Sequence, residues 1–380
     1  MIEPINRTEC VVCKHNYLEP LYTFNNFPVF MGCTTAPPET DLKMDMSWVI
    51  CPECGTIQLD KLVPLEVLYQ ENHNEAIGGT WKKHHDKFAD FILENGGENR
   101  LEIGGASGKV AQLARSKNES GKWLILEPNL FNEAPAIPNT EFEEGWFDEN
   151  YCPTFEVDTV IHSHVMEHLY EPRETLEQIN NLLPVGGKMI FSVPNMKVWL
   201  HKKYGNCLMF EHTYYLPEEA VEFLVKQYGF KVIRKQYFQE HSIFFACEKI
   251  DKENFLEPKV PKKYQENRDL YTNFVDYYVN LVKEIDSNIS TYAGARYIFG
   301  AHIFALYLQA FGLQEKYFLN VLDNAPGKIG RRLYGTNLMV RSPKFLQKHD
   351  EAIVVLKAGA YTDEIKKDIL ENINPNILFC

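Results

Sequence analysis

Leu101-Glu102-Ile103-Gly104-Gly105-Ala106-Ser107-Gly108 decides how this chain is read. An apolar run ends there, and glycines follow at the spacing that lets a backbone turn sharply into a helix and approach a ligand closely. Alone such a turn is a weak signal, because several nucleotide-binding folds use it. Its surroundings sharpen it. Around it, residues 100–250 alternate short apolar runs with helical stretches. Strands are predicted at Arg100–Ile103, Trp123–Leu126, Thr159–His162, Lys188–Val193, Val232–Tyr237 and Ile243–Cys247, with helices starting near Ser107, Arg173 and Pro217. That alternation predicts an α/β fold with a doubly wound, mostly parallel sheet. Ahead of it, Phe88, Phe91 and Ile92 share a helical face that Gly96-Gly97 terminates.

Acidic residues stand at informative points. Glu102 precedes the first glycine, where it could meet a cationic amine. Glu127 ends the next strand, where a carboxylate could accept both hydroxyls of a ribose; the plain alternative is a solvated strand end. Glu144-Gly-Trp-Phe147-Asp148 offers aromatics beside a further acid, although Phe147 reads equally as a core residue.

This order of strand ends, with the E-x-G-x-x-x-G turn and the block from Asp158 to Glu167-His168, resembles the class I S-adenosylmethionine-dependent methyltransferases. The resemblance implies S-adenosylmethionine as cofactor, held by Glu102, Gly104, Gly108 and Glu127, with Phe147 and Asp148 along the adenine.

Two pairs, Cys10-Val-Val-Cys13 and Cys51-Pro-Glu-Cys54, frame the N-terminal segment with 37 residues between them. Two facing C-x-x-C turns supply the tetrahedral sulfur set of a structural zinc, and closing the long loop between them costs little extra entropy. Free core cysteines or a redox pair are the rivals; a redox motif explains one pair and not both. Cys33, between the pairs, reads as a plain buried thiol. Otherwise residues 1–70 read as irregular.

At 380 residues, two or three domains are expected. We divide the chain into a zinc-binding module at 1–75, a cofactor-binding domain at 76–250 and a C-terminal α/β unit at 251–380. Asp251 to Lys263 reads as a linker, with Pro258 and Pro261. A helix follows along Leu270, Phe274, Tyr277, Leu281 and Ile285, and a second strand–glycine–helix unit begins at Tyr297-Ile-Phe-Gly300. The absence of a long apolar run argues against a membrane span. The first residues look unlike a signal peptide, so a cytoplasmic protein with reduced thiols is expected. A net charge of −13 without a basic run argues against nucleic acid as partner.

Phe210-Glu211-His212-Thr213-Tyr214-Tyr215 follows the loop Val193-Pro194-Asn195 at the carboxyl end of a predicted strand, the edge where such sheets bind ligands. The zinc module, the methyltransferase core, this E-H-x-x-Y cluster and a third α/β unit together resemble the sugar C-methyltransferases, which act on nucleotide-linked 4-keto deoxysugars. The resemblance covers nearly the whole chain. It implies a nucleotide-sugar substrate, His212 as catalytic base, Glu211 as its neighbour and His168 as an active-site histidine, or else a packing one. Asn195, Tyr214 and His241 are expected to touch substrate. The C-terminal unit, with Asp323 and Lys328, would hold the nucleotide or serve only as an architectural partner. The protein is expected as a monomer or dimer. Two departures fall where substrate should bind: the family's Tyr two residues before the Glu is Met209, and its His-Gly-Gly-Ser turn is His241-Ser242. They keep a sugar O-methyltransferase and a non-catalytic nucleotide-sugar-binding protein open as alternatives.

Overall fold

The computed structural model describes residues 2–69, 79–130, 135–358 and 362–380. The domain boundary expected at 75/76 lies outside them. The N-terminal segment is more regular than expected. Strands β1 (Glu19–Pro28), β2 (Lys43–Ile50) and β3 (Ile57–Leu59) form an antiparallel sheet in the order β1-β2-β3. Register irregularities in β1, between Pro20 and Tyr22 and between Phe24 and Phe27, break the period-two alternation that would have announced it.

Helix α1 (Gly79–Asn95) leads into the central sheet, burying Phe88, Phe91 and Ile92 on the face read from the sequence. The sheet comprises β4 (Arg100–Ile103), β5 (Trp123–Glu127), β6 (Thr140–Glu144), β7 (Thr159–Ser163), β8 (Lys188–Pro194), β9 (Phe230–Phe238) and β10 (Ser242–Lys249). Between them run α2 (Lys109–Arg115), α3 (Pro172–Leu182), α4 (Met196–His201) and α5 (Glu218–Gln227). The strand order is β9-β10-β8-β7-β4-β5-β6. All neighbours pair in parallel except those of β10, which lies antiparallel to both β8 and β9. A sheet of seven with one reversed strand next to the edge is the class I methyltransferase fold. The first strand, β4, sits in the interior, so the chain winds one way and then the other. The switch between β4 and β7 leaves a crevice at the carboxyl ends of the strands.

After residues 251–263 comes α6 (Tyr264–Ser290) and a second parallel sheet: β11 (Ala295–Phe299), β12 (Asn320–Leu322), β13 (Val340–Arg341), β14 (Ala352–Val355) and β15 (Ile377–Phe379), in the order β13-β12-β11-β14-β15. Helix α7 (Ile303–Ala310) follows β11.

One hydrophobic core runs through all three segments. At its centre, Phe24 and Phe27 of β1 pack on Tyr307 of α7 at 5.3 and 5.4 Å between ring centroids, while Phe27 meets Phe210 at 6.2 Å. Tyr307 also donates its hydroxyl hydrogen to the carbonyl of Leu208 at 2.5 Å. The loop carrying the candidate base is thus clamped between the first and last segments.

Candidate active site

The glycine turn follows β4 at the crevice. Gly104 and Gly108 adopt φ of 70° and 73°, the left-handed region that L side chains rarely occupy. Close packing reinforces the choice. A Cβ on Gly104 would lie 2.8 Å from Val165 Cγ2, and one on Gly108 would lie 2.8 Å from Phe142 Cζ. Val165 belongs to the loop after β7, so the turn and that loop share one wall of the crevice.

Glu127, at the end of β5, reaches back to the turn: its Oε2 accepts a hydrogen bond from the Ala106 amide at 2.9 Å. The cradle and the acid that should meet a ribose are therefore adjacent, as S-adenosylmethionine would require. Asp148 accepts from the Asn150 amide at 2.9 Å and is exposed. Phe147 is half-buried against Tyr151 at 5.7 Å.

Glu102 departs from expectation. It is 2% exposed, and its Oε2 accepts the indole hydrogen of Trp123 at 2.8 Å. Burial pushes its carboxyl up to about 8, against the pull of that indole bond, and the charge of Glu127 adds to the rise. Trp123 is registered with Arg100 on the paired strands, two residues before Glu102, so the indole reaches Glu102 diagonally.

His212 is brought to the same edge. It is 7% exposed, and its Nδ1 lies 3.3 Å from the Cys207 carbonyl. A carbonyl can only accept, so the proton sits on Nδ1 and the lone pair on Nε2. His168 meets it edge to face, with ring centroids 4.8 Å apart. Glu167 joins them: one ligand-type atom from each of Glu167, His168 and His212 lies within 4.8 Å of the others. Glu211 is half-buried, and its charge helps raise the phenols of Tyr69 and Tyr170.

Tyr69 went unread in the sequence. Its phenol is raised by burial first, then by Glu211, Tyr170, Glu167 and Glu127, so it stands among the acids of the cofactor edge and those of the candidate base. No motif around it announces this position; only the return of the N-terminal module onto the crevice creates it.

Two expected substrate contacts are corrected. Tyr214 is fully buried and donates to the Met166 carbonyl at 2.6 Å, so it braces the loop bearing His168 instead of facing a ligand. The side-chain oxygen of Asn195 caps α4 by accepting from the Val198 amide at 3.5 Å. His241 is half-buried at the crevice, with Nδ1 2.6 Å from Ser242 Oγ. Burial lowers its imidazole to about 4.

The four cysteines converge. Cys10 Sγ lies 3.5 Å from Cys54 Sγ, and Cys13 Sγ lies 3.5 Å from Cys51 Sγ. All four are unbridged, and one sulfur from each lies within 4.8 Å of the rest. Each pair ends in a left-handed residue, Lys14 at φ 63° and Gly55 at φ 84°, which gives the two turns the same shape. Four thiols in this arrangement fit a tetrahedral metal, closed to substrate.

The C-terminal unit repeats the cofactor turn's logic. Gly300, at φ 100°, follows β11, and Asp323 at the end of β12 accepts from the Ala301 amide at 2.9 Å. Lys328 lies 3.1 Å from both Asp323 Oδ2 and the Ala301 carbonyl. Next to the turn, His302 keeps solvent-accessible surface, yet burial still draws its imidazole down to about 4. Lys328 adds to the lowering, as does His212; Glu211 and Asp323 oppose it. The second turn therefore lies within electrostatic reach of the candidate base.

Residues 73–235 match the family model described as "Methyltransferase domain". A protein from Bacillus pumilus (strain SAFR-032) named as an uncharacterized methyltransferase is 26% identical over 138 residues, which cover 33% of this chain and 62% of that relative. Among solved structures, human N-acetylserotonin methyltransferase in complex with SAM aligns at 16% identity with a TM-score of 0.38, covering 44% of this chain and 51% of that one. Magnesium protoporphyrin IX methyltransferase from Synechocystis PCC 6803, with bound SAH, aligns at 13% identity and a TM-score of 0.37, covering 47% and 90%. The strand order and the family match define the class: the chain carries a methyltransferase domain of class I fold. The flanking segments lie outside the matched residues.

Proposed function

We propose that this protein is an S-adenosylmethionine-dependent methyltransferase acting on a nucleotide-activated sugar, at the carbon beside a 4-keto group. The sugar reading is supported by the nearness of a second strand–glycine–helix unit to the candidate base. The first unit lies in the domain that bears His212; in the second, His302 feels the charges of His212, Glu211, Asp323 and Lys328. A sugar joined to a nucleoside diphosphate has the length and charge to engage both.

Gly104, Gly108 and Glu127 would hold S-adenosylmethionine, with Phe147 and Asp148 beside its adenine. When bound, the cofactor supplies an electrophilic methyl group. His212 presents the lone pair of Nε2 and removes the proton from the carbon next to the ketone. The Cys207 carbonyl fixes its tautomer. His168, against its ring, would orient it, and Tyr69 would donate to the oxygen on which charge develops. The protein's main task is to hold the reacting carbon in line with the methyl group. Zinc at the four cysteines would be structural, in a reduced, cytoplasmic setting.

Sugar O-methylation is the second reading, favoured by Met209, which is buried where the resembling family has its tyrosine. There His212 would deprotonate a hydroxyl. The test is to supply a nucleoside diphosphate 4-keto-6-deoxysugar with labelled cofactor. Methyl on carbon, with exchange of the adjacent hydrogen for solvent deuterium, supports the proposal; methyl on oxygen selects the second reading. No transfer to any nucleotide sugar rejects both.

A further inference from the structure

His241 also meets two histidines not considered so far, His84 and His164. His84 comes from α1, His164 from the loop leaving β7, and His241 from the turn between β9 and β10. Their ring centroids form a nearly equilateral triangle, with separations of 5.3, 5.6 and 5.6 Å. One ring nitrogen of each lies within 4.8 Å of those of the other two. Trp81 flanks the group, its ring 4.8 Å from His164 and 4.6 Å from His241.

His84 supplies the independent observation. It is fully buried, and neither of its nitrogens has a hydrogen-bond partner among the described residues. Its other ring neighbours are Phe244 at 5.1 Å, Trp81 at 5.2 Å, Phe238 at 5.4 Å, His85 at 5.5 Å and Phe88 at 6.0 Å. An imidazole with both polar atoms unpaired in such a place is costly. A phenylalanine would serve packing better. The nitrogens are retained next to two more imidazoles, which points to a ligand that wants lone pairs.

His164 has a buried acid beside it. Its Nδ1 lies 3.1 Å from an oxygen of the fully buried Glu167, leaving Nε2 to face the triangle, where it meets Ser242 Oγ at 2.8 Å. The contact is one of charge, since neither oxygen of Glu167 has a hydrogen-bond partner among the described residues.

We propose that His84, His164 and His241 form a second metal site, which takes a divalent transition ion of the zinc class. Three neutral imidazoles are a donor set suited to such ions, and three protein ligands leave a fourth position open. Ser242 Oγ, 2.8 Å from one ligand and 2.6 Å from another, is placed to fill the fourth position or to bind a water there. Glu167 connects this site to the His168–His212 pair, so an ion here would also steady the candidate base. The site stands independently of which substrate is methylated.

The full-length protein is stripped with chelator, reloaded with zinc chloride and desalted, and metal per chain is measured for the wild type, His241→Asn and His84→Phe. His241 lies on a half-buried turn, and the phenylalanine fits the aromatic surroundings of His84, so one or both should fold; far-ultraviolet circular dichroism verifies this. Both folded variants should carry one zinc fewer per chain than the wild type. Cobalt titration should show the matching loss of visible bands without loss of the near-ultraviolet thiolate band of the cysteine site. Zinc uptake equal to wild type in either folded variant overturns the proposal.

Discussion

At His212 the fold decides what adjacency in the chain leaves open. Sequence places Glu211 beside it, but the atom within reach of its Nδ1 is the Cys207 carbonyl, and its ring neighbour is His168. If His212 is the base, His212→Ala should lower turnover by about 10²–10⁴, the usual worth of positioned proton transfer, with S-adenosylhomocysteine affinity nearly unchanged by calorimetry. Glu102 gives a different expectation. Its carboxyl is raised to about 8 in the folded chain and titrates near the ordinary carboxylate value when unfolded. Below that ordinary value both states are protonated. Above it the unfolded chain releases its proton while the folded chain retains it, so this residue's contribution falls as pH rises toward 8. Glu102→Gln removes that loss while keeping an acceptor for Trp123. Its melting temperature should gain on wild type steadily between pH 5 and pH 8; parallel curves would mean that the carboxyl ionises freely. Position along a strand was legible here; direction was not. Glu102 and Tyr214 were both placed at the right edge and read as facing the ligand. An indole on the neighbouring strand and a carbonyl 48 residues away take their polar atoms instead.

The regular elements follow from signals of different strength. Strands β5, β7 and β8 carry short apolar runs in the interior of the sheet, β4 sets Leu101 and Ile103 beside the glycine turn, and all four could be read to within a residue or two. Strand β6, Thr-Glu-Phe-Glu-Glu, lies at the edge with its charged residues toward water, so it carried no such run and was missed. The cysteine turns were legible as a pair, and the reason for Gly55 was not. A Cβ there would lie 2.4 Å from the backbone carbon of Lys263. The same turn is held by the amide of Lys263 on the Cys54 carbonyl at 3.2 Å and by the Asn267 side chain on the Gly55 carbonyl at 2.9 Å. Gly55→Ala must therefore bear a left-handed backbone and push away the start of α6. We expect a loss of about 2 kcal/mol or more by chemical denaturation, with metal content retained. At the cofactor turn, Glu127→Ala should weaken S-adenosylhomocysteine binding by about 1–3 kcal/mol, the scale of a charged hydrogen-bond partner. Unchanged affinity would remove Glu127 from the site.

Across the whole molecule, the three segments are stitched in a way that domain-by-domain reading does not anticipate. Residues Cys33–Thr34 pair antiparallel with Arg332–Leu333, joining the first segment to the last. Beside this pairing, Arg332 grips Asp41 through two nitrogens at 2.6 and 2.7 Å, with both side chains nearly excluded from water. Removing one partner leaves a buried charge unpaired, so Arg332→Ala should cost about 3–5 kcal/mol, although the residue lies far from either glycine turn in sequence. The continuous core carries a further consequence for the cysteine site. Cys10, Cys51 and Cys54 belong to the same apolar cluster as Phe210, Tyr307 and Val355. A module that merely hung from the catalytic domain would melt alone when its metal was removed, leaving the rest intact. Here the sulfurs brace the sheet that clamps the His212 loop and the turn that seats α6. Chelation, or the paired change of Cys51 and Cys54 to Ser, should therefore lower the melting temperature of the entire chain in one transition. Cofactor binding should persist in the folded fraction, because the glycine turn belongs to another sheet. Two separated transitions in calorimetry, the earlier one confined to the N-terminal segment by hydrogen exchange, would show instead that the metal stabilises only its own module.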